Sequence, residues 1–272
     1  LHAPTFRHKM YDQYKGTRKP MPQELREQVP VIQEVLAAMD IEIVTKEGYE
    51  ADDILGTLGR KCEAEGMEVT IVSGDRDLLQ LATDHILIRI PKTVKRVTTI
   101  ENYHTAEVLE KYSLLPKQII DLKALMGDTA DNIPGVPSIG EKTATKIITE
   151  YHSIENAYEH VSELKPPRAS KALAEHWDMA VMSKTLATIE VHADFPYELS
   201  EAKLGNIFTE EAYAFFQKLQ FKNLLSKFDV TAPANQVEDG FEQITDYKKA
   251  EKVLDQAKES TCVGAVIFQN TE

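Results

Sequence analysis

The chain has 272 residues, a length suited to two domains of ordinary size rather than one small module. Hydrophobic residues at 42% and charged residues at 28% exclude a disordered or fibrous chain, and no apolar run is long enough for a spanning helix. A formal net charge of -13 argues against a generic polyanion binder, and two distant cysteines, Cys62 and Cys262, exclude a disulfide scaffold and fit a reducing cytoplasm.

The opening stretch departs from the acidic total. Arg7, Lys9, Lys15, Arg18 and Lys19 stand against a single acid, Asp12, with Phe6, Tyr11 and Tyr14 interleaved. Salt screening confines each charge to roughly 10 Å, so a basic strip on an acidic chain still holds a phosphate backbone. Arg7, Tyr14, Lys15 and Arg18 are the candidate contacts, the tyrosine for base stacking. A solvated charge run is the alternative. No leader pattern follows Leu1, and the apolar run Val263 to Phe268 at the other end reads as a segment cut from a longer chain.

Pro22 to Met39 predicts a helix, with Leu25, Val29, Ile32 and Leu36 at helical spacing. Ile41 to Val44 predicts a short buried strand. A helix from about Glu50 to Glu65 follows the turn at Gly48, with Ala51, Ile54, Leu55, Leu58 and Cys62 on its apolar face. Val69 to Val72 predicts a second strand, Leu78 to Leu81 a short helix, and Ile86 to Ile90 a third strand. This alternation implies an α/β fold with a mainly parallel sheet and flanking helices. From Ala106 to about Phe228 the pattern is nearly all helical. Pro233, Asn235 and Gly240 mark a linker at 229–240, after which strand, helix (Tyr247 to Glu259) and strand suggest the start of a second α/β domain over 241–272. The expected divisions are therefore 1–103, 104–228, 229–240 and 241–272.

Three acidic segments lie at predicted element ends: Glu50-Ala51-Asp52-Asp53, Asp75-Arg76-Asp77 and Asp128-Thr129-Ala130-Asp131. The first two follow strands of one sheet, whose C-terminal ends share an edge where ligands bind. Two like charges about 4 Å apart repel by roughly 4 kcal/mol at an effective dielectric near 20, so converging carboxylates need a cation between them. All-oxygen ligation suits Mg²⁺ or Mn²⁺, and two such ions serve phosphodiester cleavage. The competing explanation is helix capping, which also favours acids in a first turn. Asp75-x-Asp77 additionally fits a phosphotransferase with Asp75 as nucleophile.

Ile133 to Ala144 joins two helical stretches through Gly135 and Gly140, with Ile133, Val136 and Ile139 placed to pack the turn. A helix starting near Gly140, with Lys142 beside it, offers amides to a phosphate. This is the spacing of a helix-hairpin-helix, a sequence-independent reader of nucleic-acid backbone; an ordinary helix-helix turn is the alternative.

Taken together, Tyr14-Lys15-x-x-Arg18, Glu50-Ala51-Asp52-Asp53, Gly74-Asp75-x-Asp77 and Met126-Gly127-Asp128-x-x-Asp131-Asn132-Ile133-Pro134-Gly135-Val136 resemble the 5′→3′ exonuclease (flap endonuclease-like) domain of bacterial DNA polymerase I over roughly residues 1–228. The resemblance implies a PIN-like nuclease core, a helix-hairpin-helix subdomain and, in the trailing segment, the start of an RNase H-like domain. It implies two divalent ions, Mg²⁺ or Mn²⁺, on Glu50, Asp52, Asp53, Asp75, Asp77, Asp128 and Asp131, with Lys15 and Arg18 at the scissile phosphate. It further implies a DNA grip through Gly135, Val136, Ser138, Gly140 and Lys142, with K⁺ on backbone carbonyls there. DNA with 5′ flaps, nicks or primed ends is the implied substrate, in a cytoplasmic monomer covalently linked to a polymerase domain, with no membrane partner. The family's first strand and its carboxylate are expected upstream of Leu1. Val263 to Phe268 lacks an Asp-x-Glu pair, so proofreading is expected to be degenerate. A non-catalytic DNA-junction binder with a decayed metal site is the alternative.

Overall fold

The computed structural model describes residues 3–228, 244 and 246–258. The chain divides into two compact units, Leu1–Thr209 and Glu210–Glu272. The first runs α1 (Phe6–Met10), α2 (Gln23–Ala38), α3 (Ala51–Ala64), β1 (Val69–Val72), a 3₁₀ turn (Arg76–Leu81), β2 (Ile86–Val94) and β3 (Val97–Tyr103). It continues through α4 (Thr105–Tyr112), α5 (Gln118–Met126), α6 (Glu141–Tyr151), α7 (Ile154–Glu159), α8 (Pro167–Glu175) and α9 (Trp177–Ala187). The second contains α10 (Glu210–Lys218), α11 (Lys222–Leu225) and α12 (Tyr247–Lys258).

The sheet has the order β1-β2-β3 and is mixed. β1 pairs parallel with β2, Val69 opposite Ile86 and Val72 opposite Arg89. β2 pairs antiparallel with β3, from Ile88 opposite Tyr103 to Val94 opposite Val97. Ile86, Ile88 and Ile90 alternate inward, as the period of a strand demands, and join Ile71, Leu78, Leu79 and Leu81 in one core. That core continues without a break into Val108, Leu114, Ile119, Leu125, Ile147, Ile148 and Leu173 of the helical part. Sheet and helices of this unit are thus one hydrophobic body, which holds the loops between them in fixed register.

Two expectations are corrected. Ile41 to Val44 forms no strand. An apolar run becomes a strand only where a neighbouring edge takes its hydrogen bonds, and among the described residues β1 is paired on one side alone, by β2. Conversely, β3 arises where no strand was expected: Val97 to Ile100 are exposed on both faces and carry no inward-outward alternation to read.

The second unit is organised around the buried ring of Phe216, whose centroid lies 5.8 Å from that of Phe221 and 5.6 Å from that of Phe228. α12 begins at Tyr247, where a helix was expected. The expected linker 229–240 and the strand at Val263 to Phe268 lie outside the described residues. No helix among the described residues is long and apolar enough to cross a membrane.

Candidate active site

The basic strip does not lie open. Arg7 is 3% exposed, and its guanidinium makes a two-pronged pair with Asp53, NH1 to Oδ2 and NH2 to Oδ1, both at 2.8 Å. Its Nε donates to the Leu186 carbonyl at 2.9 Å and NH2 also to that of Thr188 at 2.6 Å. Asp53 is fully buried and takes two further donors, the amides of Glu50 and Glu190, each at 2.9 Å. Burial pushes the Asp53 carboxyl up, but the hydrogen bonds and charge of Arg7 outweigh it and hold the group below the usual carboxylate range. The buried Arg7 guanidinium thus spends four of its five N–H donors inside the protein, and Asp53 has its lone pairs committed to Arg7 and two amides.

Next along the strip, Tyr14 is 3% exposed, so its ring is not available to stack on a base in this state. Its hydroxyl lies 3.1 Å from Glu50 Oε2 and 3.0 Å from Asp131 Oδ2, bridging two acidic segments. Burial first, then those two carboxylates, raise the phenol far above its ordinary value. Lys15, with φ of 56°, turns its ammonium back to Glu50 Oε1 at 2.6 Å and to within 3.5 Å of Asp131 Oδ2. Arg18 pairs with Asp131 through NH2 and donates from Nε to the Ala130 carbonyl at 3.2 Å. The strap is also tied by its backbone, Lys15 N–H to the Asp131 carbonyl at 2.8 Å.

The remaining carboxylates form a second group. Asp75 caps the 3₁₀ turn, its Oδ1 accepting from the Asp77 amide at 2.9 Å, and its side chain is exposed. Lys123 of α5 inserts its ammonium between Asp77 and Asp128, with Asp128 Oδ2 at 2.5 Å. Asp128 also accepts the amides of Ala130 and Asp131, and Lys123 and those amides overcome burial to hold it low. Asp77 is pushed up to about 6, burial and the charges of Asp75 and Asp128 prevailing over Lys123. Asp52 rises to about 6 as well, through burial and then repulsion from Asp75, Asp77 and Glu50. Among the described residues, no three of these acids close around a single point as a finished metal site. The donor set nonetheless fits a hard divalent ion: all oxygens, no His or Cys, and a net negative field that leaves Asp52 and Asp77 hard to ionise. Lys123 is the member of this charged cluster that sequence reasoning missed. The signal was present, a lone lysine inside the apolar helix Gln118-Ile119-Ile120-Asp121-Leu122-Lys123-Ala124-Leu125-Met126.

The glycine-bounded turn is tightly built. A Cβ on Gly135 would meet the Gly127 nitrogen at 2.2 Å, and φ there is +64°. Asp128 and Ile133 close a bridge across the acidic loop, with amide-carbonyl distances of 2.9 and 2.8 Å. Ile133, Val136 and Ile139 are buried, as their spacing predicts. The amides of Gly135 and Val136 are already used, by Ser183 Oγ at 3.0 Å and the Leu125 carbonyl at 2.7 Å. The amides of those two residues therefore build the turn. Ser138, Gly140 and Lys142 are exposed, and Ser138 Oγ accepts from Arg168 at 2.8 Å.

An open groove of about 1990 Å³ runs along Lys15, Arg18, Glu50, Asp52 and Asp75 and on past Pro20 to Leu25. Carboxylates and cations along one groove suit an anionic substrate that brings, or meets, divalent ions.

The model of a family described as 5′-3′ exonuclease, N-terminal resolvase-like domain, matches residues 2–113, and that of the 5′-3′ exonuclease, C-terminal SAM fold, matches 114–210. DNA polymerase I of Bacillus caldotenax is 45% identical over 225 residues, covering 83% of this chain and 25% of that protein. DNA polymerase I of Geobacillus stearothermophilus is 40% identical over 270 residues, covering 98% of this chain and 30% of its own. The chain thus spans about a quarter of the length of the curated relatives it matches. Among solved structures, T5 5′-exonuclease with bound divalent metal ions (zinc) aligns with a TM-score of 0.59 at 22% identity, covering 80% of both chains. The catalytic core of Rad2 in complex with DNA substrate aligns at 0.51 and 17%, covering 79% of this chain and 69% of that one. These two show the fold: a resolvase-like α/β core followed by a helical domain.

Proposed function

Because the chain belongs to the 5′-3′ exonuclease family of bacterial DNA polymerase I, we propose that it is the structure-specific 5′ nuclease module of such a polymerase. It hydrolyses DNA phosphodiester bonds at 5′ ends, flaps and nicks during primer removal and repair, as a cytoplasmic monomer covalently joined to a polymerase domain. The observation that carries this reading is the groove itself, which Asp52 and Asp75 line together with Lys15 and Arg18.

Asp52, Asp75, Asp77 and Asp128 would hold Mg²⁺ or Mn²⁺, with Glu50 and Asp131 at the margin. Held there, such ions would supply Lewis acidity for phosphodiester hydrolysis. Lys15 and Arg18 leave Glu50 and Asp131 for the phosphate and stabilise the charge that develops on its oxygens. Tyr14 holds Glu50 and Asp131 in one place while the strap is closed. Ser138, Gly140 and Lys142 grip the duplex backbone, and the carbonyls of the same turn would hold K⁺.

In the intact protein, Asp75→Ala abolishes Mg²⁺-dependent cleavage of a 5′-flap substrate and leaves DNA binding within a few-fold. Undiminished cleavage would remove Asp75 from the metal set. One observation favours the second reading, a non-catalytic junction binder: Lys123 already neutralises Asp77 and Asp128. That reading predicts flap binding with no metal-dependent cleavage by the unaltered protein.

A further inference from the structure

β2 does not stop where its partner does. β1 ends at Val72 opposite Arg89, whereas β2 runs on to Val94 and returns as β3. The chain leaves β1 directly into the Ser73–Asp77 segment, and β2 is parallel to β1, so the excess of the hairpin projects over the same lip as Asp75 and Asp77. Five residues at about 3.3 Å each give an arm of roughly 17 Å. Every residue from Pro91 to Ile100 is exposed.

This arm, like the N-terminal strip, departs from the acidic total of the chain. Lys92, Lys95 and Arg96 lie within Pro91–Ile100 and no acid does, in a protein of net charge -13. The nearest acid, Glu101, sits at the base: it accepts from Arg76 at 3.0 Å, Tyr103 at 2.7 Å and Lys111 at 3.2 Å, and its Oε1 lies 3.9 Å from Lys92 Nζ, which leaves the tip cations Lys95 and Arg96 outside its partners. Arg76, which also donates to the Tyr112 hydroxyl at 2.6 Å, stands between Asp75 and Asp77 in sequence and so anchors the arm to the catalytic segment. Lys95 and Arg96 form a two-residue turn with φ of 49° and 67°, the left-handed pair that a tight hairpin requires but that neither residue favours. An isolated two-stranded ribbon is marginal in water. Here two poor turn residues, both cationic, occupy its tip, and Val94, Val97 and Ile100 are 53%, 64% and 54% exposed.

We propose that the hairpin Pro91–Ile100 is an arm for duplex nucleic acid, laying Lys92, Lys95 and Arg96 along phosphates of the duplex whose end is held at the carboxylate lip. A two-stranded ribbon is narrow enough to follow a groove, and the charge pattern selects a polyanion. The proposal deepens the nuclease reading and rests on it.

The test uses the intact protein, a 5′-flap duplex and EDTA, so that binding is read without cleavage. Lys95→Asn with Arg96→Gly removes both charges while supplying the preferred residues of such a turn, which guards against misfolding. The slope of log binding constant against log salt falls by about 1.8 in magnitude, near 0.9 for each phosphate no longer neutralised. The exchange Lys95→Arg with Arg96→Lys leaves the slope unchanged, and single-stranded DNA of the flap sequence binds equally to all three proteins. An unaltered slope in the Asn-Gly variant would overturn the proposal, as would self-association that is lost on Val94→Thr with Val97→Thr and leaves the slope as it was, since that assigns the arm to a second copy. Failure of the unaltered protein to bind the flap at all would instead strike the nuclease reading.

Discussion

At the scale of single residues, the acids of this chain sort by what neutralises them. Asp53 belongs to Arg7, Glu50 and Asp131 to the strap, and Asp77 and Asp128 to Lys123. Removing one partner of a buried pair leaves an uncompensated charge, at a cost of about 3–5 kcal/mol. Arg7→Ala therefore lowers the urea-unfolding free energy by about that amount; a loss under about 1 kcal/mol would show that Asp53 has another partner, such as a metal. Asp52 and Asp77 behave oppositely. Their folded values, about 6, lie above the ordinary 3.8, so the fold holds their protons more tightly than the unfolded chain does. Their contribution to stability is complete below about pH 4 and is lost as pH rises through about 6. A divalent ion bound at these groups, as proposed, would reverse the loss. Mn²⁺ accordingly raises the melting temperature more at pH 7.5 than at pH 5, relative to EDTA, and an equal rise at both would separate the ion from these carboxylates.

At the scale of elements, local pattern and tertiary context divide clearly. The helices at Gln23–Ala38, Ala51–Ala64 and Glu141–Tyr151 carry an apolar stripe at helical spacing and formed where it predicts. Val69–Val72 and the start of β2 are short apolar runs that found partners, whereas Ile41 to Val44 is the same kind of run and found none. The Asp128 loop depends on a backbone approach that only glycines permit, Gly127 against Gly135. Gly135→Ala adds a Cβ 2.2 Å from the Gly127 nitrogen at a positive φ and should cost at least about 2 kcal/mol, the strain of the backbone alone being about 1–3. Thermal unfolding followed by circular dichroism measures it. An unchanged midpoint would mean that the two segments part readily, and the site geometry with them.

At the scale of the whole molecule, charge is arranged rather than spread. A net -13 coexists with a basic strap, an exposed helix start at Lys142 and an acid-free arm at Pro91–Ile100, each short enough to escape the average. The single core shared by the sheet and the helices of Leu1–Thr209 is what gives these pieces a common frame. The two family matches, 2–113 and 114–210, together coincide with that unit to within one residue at either end.

The amino-acid sequence alone determined the acidic segments, the packing of Ile133, Val136 and Ile139, and the family, because runs, spacings and motifs are properties of neighbouring positions. Only the tertiary structure decided that Arg7 and Tyr14 face inward, that Lys123 reaches Asp77 from a helix 46 residues away, and that β2 outruns β1 toward the lip. Which cation meets which carboxylate is set by the packing of distant elements on a shared core, and no local pattern of side chains encodes that distance.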